Sequence, residues 1–314
     1  MIFVTNTICS APNTPPPLSF FFYQSHSMPT LHSLDHPNHV ITLNPAAKVQ
    51  IKTEQIQDIS NIIDTCQEGD VIFIGIDNTI QTISSYLFQT NSLDLLSQGG
   101  RLIESSETLL DENHTAFISR WRLSRRIQLV HPDWPLLIQK AQKKGALVYG
   151  LTQIGTGACG VMSRVEEWRY NELYQLGIHF TPTYLNKEDC PLSECAPMES
   201  QPASGPIFYK GIFFTGSLFT EKSIVLDLFL KHHTPRRIIM IDDRIGQIQS
   251  AQDVPFSGAF LGIYFRGVDL AVRPPVSETQ LAEIKNIQHI HLTQGIWLEN
   301  EEALTILDMN THCD

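Results

Sequence analysis

Val71-Ile72-Phe73-Ile74-Gly75-Ile76-Asp77-Asn78-Thr79-Ile80 decides how this chain is read. A run of apolar, mostly β-branched residues stops abruptly at Gly, Asp, Asn and Thr. Such a run predicts a strand buried on both faces, as in a parallel sheet. Its polar carboxyl end falls where open α/β sheets place their ligands. The odd residue is Gly75, two positions before Asp77, where a reactive carboxylate would be expected.

Outward from this stretch, apolar strands alternate with helical patterns. Ile56, Ile59, Ile62, Ile63 and Cys66 recur at helical spacing before it. After it, 86–96 and 116–129 carry helical patterns. Residues 134–144 form an amphipathic helix closed by Gly145, leading into a strand over 146–152. A helix over 162–176 and a short strand near 178–180 follow, then a Pro/Ser/Cys-rich loop over 186–206. Strands are expected at 211–215, 237–241 and 259–265, with helices at 221–231 and 278–287. Alternation of this kind implies βαβ units and a doubly wound, mainly parallel Rossmannoid α/β sheet.

Composition narrows the function classes. The chain has 314 residues, 42% of them hydrophobic and 18% charged, with a net charge of −11. An acidic balance disfavours nonspecific nucleic-acid binding, which needs a basic surface. No apolar run approaches the roughly 18 residues of a membrane span. The six cysteines (Cys9, Cys66, Cys159, Cys190, Cys195 and Cys313) are scattered, which favours free thiols. Residues 1–47 hold no Lys or Arg, one acid (Asp35) and seven prolines, so disorder is expected there. His32, His36 and His39 in that leader are read as chance histidines. Cytoplasmic localisation is favoured, with export through the uncharged leader the other option.

Several strand ends and helix starts carry residues suited to phosphate chemistry: Asp77-Asn78-Thr79, Thr152, Lys222 and Asp242-Asp243. In parallel sheets such ends converge on one crevice. Carboxylates at two strand tips suit Mg²⁺, and a Lys with a Thr hydroxyl suits a phosphoryl group.

This order and spacing resembles the haloacid dehalogenase (HAD) superfamily, populated mostly by phosphatases. The first motif there is Asp-x-Asp-x-Thr, followed by a strand-terminal Ser/Thr, a Lys and an acidic pair. The likeness spans about residues 50–268 and is nearest to a bacterial HAD-like family with Asp-Ile-Asp-Asn-Thr. It implies a core of 48–80 and 134–268, a helical cap at 81–133 and a C-terminal helical appendage at 269–314. It further implies Asp77 and Lys222 as catalytic groups, and Asn78, Thr152 and Lys222 as phosphate binders. Asp77, Asp242 and Asp243 would be the metal ligands.

The departure is Gly75, which stands where the superfamily has its nucleophilic, Mg²⁺-binding Asp. Loss of a nucleophile costs about 10⁶ in rate by analogy. Mg²⁺ binding would also weaken by one carboxylate. The expectation is therefore a degenerate phosphatase that binds a small phosphorylated ligand or a protein partner. The alternative is residual Mg²⁺-dependent phosphoester hydrolysis through Asp77 and Asp242 with Asp243.

Two further signals are weighed beside this constellation. Arg120, Arg122, Arg125 and Arg126 form a basic cluster, read as a solvated helix face or as contacts to an anion. Gly155-Thr156-Gly157-Ala158-Cys159-Gly160 matches a dinucleotide fingerprint but lacks the acid expected about 20 residues on. It is read as a loop.

Overall fold

The computed structural model describes residues 32–33, 47–83, 112–192, 205–270 and 278–311 apart from 295, 297 and 299. The expected leader disorder and the 86–96 helix fall almost wholly outside these residues. Within them the chain is an α/β structure built on one mainly parallel sheet.

The strands of that sheet are β1 (His32–Ser33), β2 (Lys48–Thr53), β3 (Asp70–Gly75), β6 (Leu147–Gly155), β7 (Asp189–Pro191), β8 (Ile207–Tyr209), β9 (Ile212–Gly216), β10 (Arg237–Asp242) and β11 (Ala259–Phe265). Their order is β1-β2-β11-β10-β3-β6-β9-β8-β7. From β1 to β9 every pairing is parallel, and β8 and β7 close one edge antiparallel. β3 is central, between β10 and β6.

Side-chain alternation along the central strands explains why they read as continuous apolar runs. Ile72 and Ile74 of β3, Val148 of β6 and Ile239 and Ile241 of β10 enter one buried cluster. Val71 and Phe73, Tyr149 and Leu151, Ile238 and Met240 enter a second. Both faces are covered, so the interior positions of β3 and β10 are apolar, with charged residues only at their ends. The helices α1 (Ile56–Asp64), α3 (Trp134–Lys143) and α4 (Val165–Gln175) pack on the first face. The helices α5 (Lys222–Leu230) and α6 (Ile245–Gln252) pack on the second.

Several local expectations are corrected. The pattern over 116–129 is not one helix: α2 (Glu112–Ser124) stops, and β5 (Ile127–Leu129) pairs antiparallel with β4 (Gln81–Ile83). Ile83 and Ile127 face each other there, and Val130 N–H reaches Ile80 O at 2.8 Å. The ribbon springs directly from the end of β3. Residues 178–180 form no strand; the chain is tied beside β6 by Thr181 N–H to Val148 O (2.8 Å) and Val148 N–H to Thr181 Oγ1 (3.0 Å). The 186–206 stretch contains β7, which the prolines obscured. At the C-terminus α7 (Glu278–Thr293) pairs with α8 (Asn300–Thr311) and also contacts α2.

Candidate active site

β3 ends at Gly75, and the chain turns at once. The amides of Ile80 and Gln81 both reach Ile76 O (3.0 and 3.1 Å), and Asn78 sits in the left-handed region at φ 59°. Asn tolerates that conformation better than most residues. This turn returns Thr79 to the strand end, where its Oγ1 accepts the Asp243 amide at 3.1 Å. The predicted phosphate binder Asn78 instead has its Oδ1 on the Thr82 hydroxyl at 3.3 Å.

The neighbouring strand β10 brings Asp242 to the same level. A Cβ built on Gly75 would lie 2.9 Å from Asp242 Oδ2 and 2.9 Å from Thr79 Oγ1. The room a side chain at 75 would need is already filled. Asp242 is fully buried and receives Lys222 Nζ on Oδ2 at 2.5 Å and the Arg244 amide on Oδ1 at 3.0 Å. Lys222, in the first turn of α5, is itself buried, so the pair is a closed internal ion pair. Its backbone N–H is fixed by Gln247 Oε1 at 3.0 Å. Thr152 is buried within β6, at the point where its register with β9 breaks, and the adjacent Gln153 Oε1 accepts from Arg244 Nη1 (2.7 Å) and Gln247 (3.3 Å).

Asp243 differs from its neighbour. Its carboxylate has no hydrogen-bond or ion-pair partner among the described residues. Burial and the negative charge of Asp242 push it up to about 7, against the opposing pull of Lys222. Such a carboxyl exchanges protons at neutral pH.

Asp77 faces the other way. Arg169 of α4 grips it with two parallel bonds, Nη1 to Oδ1 at 3.0 Å and Nη2 to Oδ2 at 2.8 Å. Gln81 Nε2 lies 3.3 Å from Oδ1, and Arg125, the residue after α2, approaches at 3.8 Å. Partial removal from water would raise the Asp77 carboxyl, but Arg169 and then Arg125 outweigh it and hold it below the usual range. Its side chain remains 49% exposed. Arg169 and Arg125 both also bind Glu172, at 2.9 and 3.2 Å. Arg169 and Glu172 are buried partners that sequence reasoning missed. Glu166, Arg169 and Glu172 recur every third residue on α4, all buried; that charged inward face was the available signal.

A family model described as "Protein of unknown function (DUF2608)" matches residues 52–304. The chain belongs to the DUF2608 family. It is also 29% identical over 253 residues to "Uncharacterized protein RP296" of Rickettsia prowazekii (strain Madrid E), covering 80% of this chain and 87% of that one. No solved structure matches.

The three acids of this DUF2608 member do not fit a divalent cation as they stand. Asp77 is committed to Arg169 and Asp242 to Lys222, which leaves Asp243 alone. Among the described residues no group of three His, Cys, Asp or Glu is placed to hold a metal. The glycine-rich loop is also internally satisfied: Gly157 N–H donates to Glu166 Oε1 at 2.9 Å, and α4 starts only at Val165. Of the four clustered arginines, Arg122 and Arg125 turn towards Trp168 of α4, while Arg120 and Arg126 are exposed.

Proposed function

We propose that this protein has a HAD-type phosphatase fold with a disabled engine, and that it acts by binding a small phosphorylated ligand or a protein partner. The observation that carries this is at the end of β3. No nucleophile stands at Gly75, and the Asp242 carboxylate, neutralised by Lys222, lies against the space a side chain there would need. Asp77, the remaining acid of the first motif, is held by Arg169 and is a poor proton acceptor in that state.

The strand order supports the fold part of the reading. The chain runs outward from β3 to β6 and β9, then crosses back to β10 and β11 on the other side. This makes the β3–β10 boundary a topological switch point, the usual place for a ligand crevice. Asp77, Thr79, Asp242 and Asp243 all lie at its carboxyl end.

One observation favours a second reading, residual phosphoester hydrolysis. Asp243, raised to about 7, is a serviceable general acid or base near neutrality. Hydrolysis of an aryl phosphate in the presence of Mg²⁺ separates the two. Wild type is expected to show no turnover above a heat-inactivated blank. Substantial wild-type turnover that vanishes in Asp77→Asn would overturn the degenerate reading.

A further inference from the structure

Beside Asp77, three arginines share one partly buried space with two carboxylates. Arg169 and Arg125 are engaged by Asp77 and Glu172. Among the described residues Arg122 hydrogen-bonds only to Cys159 Sγ, at 3.9 Å, and no carboxylate forms an ion pair with it. A thiol is a weak acceptor for a guanidinium. The three guanidinium carbons lie 5.6, 5.2 and 4.7 Å from the centroid of the Trp168 ring, for Arg122, Arg125 and Arg169 in turn. Among the described residues, three guanidinium groups here face two carboxylates, Asp77 and Glu172. Burial, with the like charges of Arg169 and Arg125, pulls Arg122 down to about 10.

A second observation points the same way. Arg169 is 1% exposed, and its Nε–H is buried without an acceptor. Buried donors are nearly always satisfied, so this Nε–H is available to an oxygen brought by a ligand.

We propose that Arg122, Arg125 and Arg169, gathered around Trp168, bind a compact tetrahedral oxyanion, the phosphate group of a small ligand. This rests on the reading of the crevice as a binding site, and it places the anion at the α2–α4 junction, away from Thr152 and Lys222. The chemistry selects the ligand class. Asp77 and Glu172 already supply the flat, two-oxygen faces that guanidinium forks prefer. The unmet donors belong to different arginines, and several oxygens of a tetrahedral dianion can accept from them together. Trp168 gives the cations an apolar wall, where an exposed surface cluster would be solvated.

The test titrates the full-length chain with inorganic phosphate at constant ionic strength. Intrinsic fluorescence follows binding, and Trp168→Phe identifies the reporting ring. Wild type is expected to saturate. Arg122→Met should weaken phosphate at least about tenfold, equivalent to about 1.4 kcal/mol. Without phosphate that variant should melt no lower than wild type, because removing the unpaired cation relieves like-charge repulsion. Thr152→Val should keep the wild-type affinity, and acetate should give no saturable signal. Absence of phosphate binding by wild type, equal affinity in Arg122→Met, loss of binding only in Thr152→Val, or an equal acetate response would each overturn the proposal. None of these bears on the disabled engine, which is judged by turnover.

Discussion

At Gly75 the addition of a single carbon would meet Asp242 Oδ2 and Thr79 Oγ1, both at 2.9 Å. The Asp242 side chain is pinned by Lys222 and the Arg244 amide, so it cannot yield cheaply. Gly75→Ala is therefore expected to lower stability by about 1–3 kcal/mol, the usual cost of overpacking a filled site. Gly75→Asp should cost more, because it adds a second carboxylate beside Asp242. Denaturant unfolding of the two variants checks both statements; an unchanged midpoint in Gly75→Ala would show that the slot is open. Asp243 makes a separate prediction through pH. Its folded value of about 7 lies above the ordinary unfolded value of about 3.9, so the folded state binds the extra proton between those limits. Wild-type stability should fall as pH rises through that window. Asp243→Asn removes the effect. It is expected to be more stable than wild type at pH 8 by on the order of 1–2 kcal/mol, with the gain gone near pH 4. Thermal melts across that range provide the measurement.

At the scale of the element, α4 carries the design of the site more than any strand does. Its inward face presents Glu166, Arg169 and Glu172 where a helix packed on a sheet would ordinarily present aliphatic groups. The cost of burying them is offset by mutual pairing and by Asp77, Arg125 and Gln81 reaching in from the β3 turn, the end of α2 and β4. Removing one member leaves the others unpaired. Arg169→Met should destabilise by about 2–4 kcal/mol: breaking a buried pair is severe, and the half-exposed Asp77 moderates it. A change below about 0.5 kcal/mol in chemical denaturation would show that the network is solvated. A comparable anchor holds the opposite end of β3. There the buried Asp70 takes Arg237 at 2.7 Å and Arg236 at 2.6 Å, tying the start of β3 to that of β10. This pair sits far from the crevice and registers the two strands that flank the switch point.

Over the whole molecule, the C-terminal helices bear on the site from a distance. α7 contacts α2, the helix that carries Arg122 and leads directly into Arg125, and its Ile284 is fully buried. The family match extends through α7 and into the start of α8, to residue 304. Ile284→Asp is expected to cost about 3–5 kcal/mol, since it places an unpaired charge in an apolar contact. It should also weaken phosphate binding by loosening α2 over Trp168. Unchanged stability in this variant would mean that α7 is dispensable to the fold.

What the amino-acid sequence determined alone was the frame. Apolar runs ending in polar clusters at Gly75, Thr152 and Asp242 marked strands buried on both faces, because period and hydrophobicity are local properties. The short pieces were not legible: β4, β5, β7 and β8 have three residues each, too few for a period to register. Nor was the state of the site. Asp77 and Lys222 were visible as chemistry-bearing residues, but their partners are remote in the chain. Asp77 meets Arg169 across 92 positions, and Lys222 meets Asp242 across 20. Whether a carboxylate faces a substrate or an internal cation depends on which side chains the crossovers bring together, so only the tertiary structure decided it.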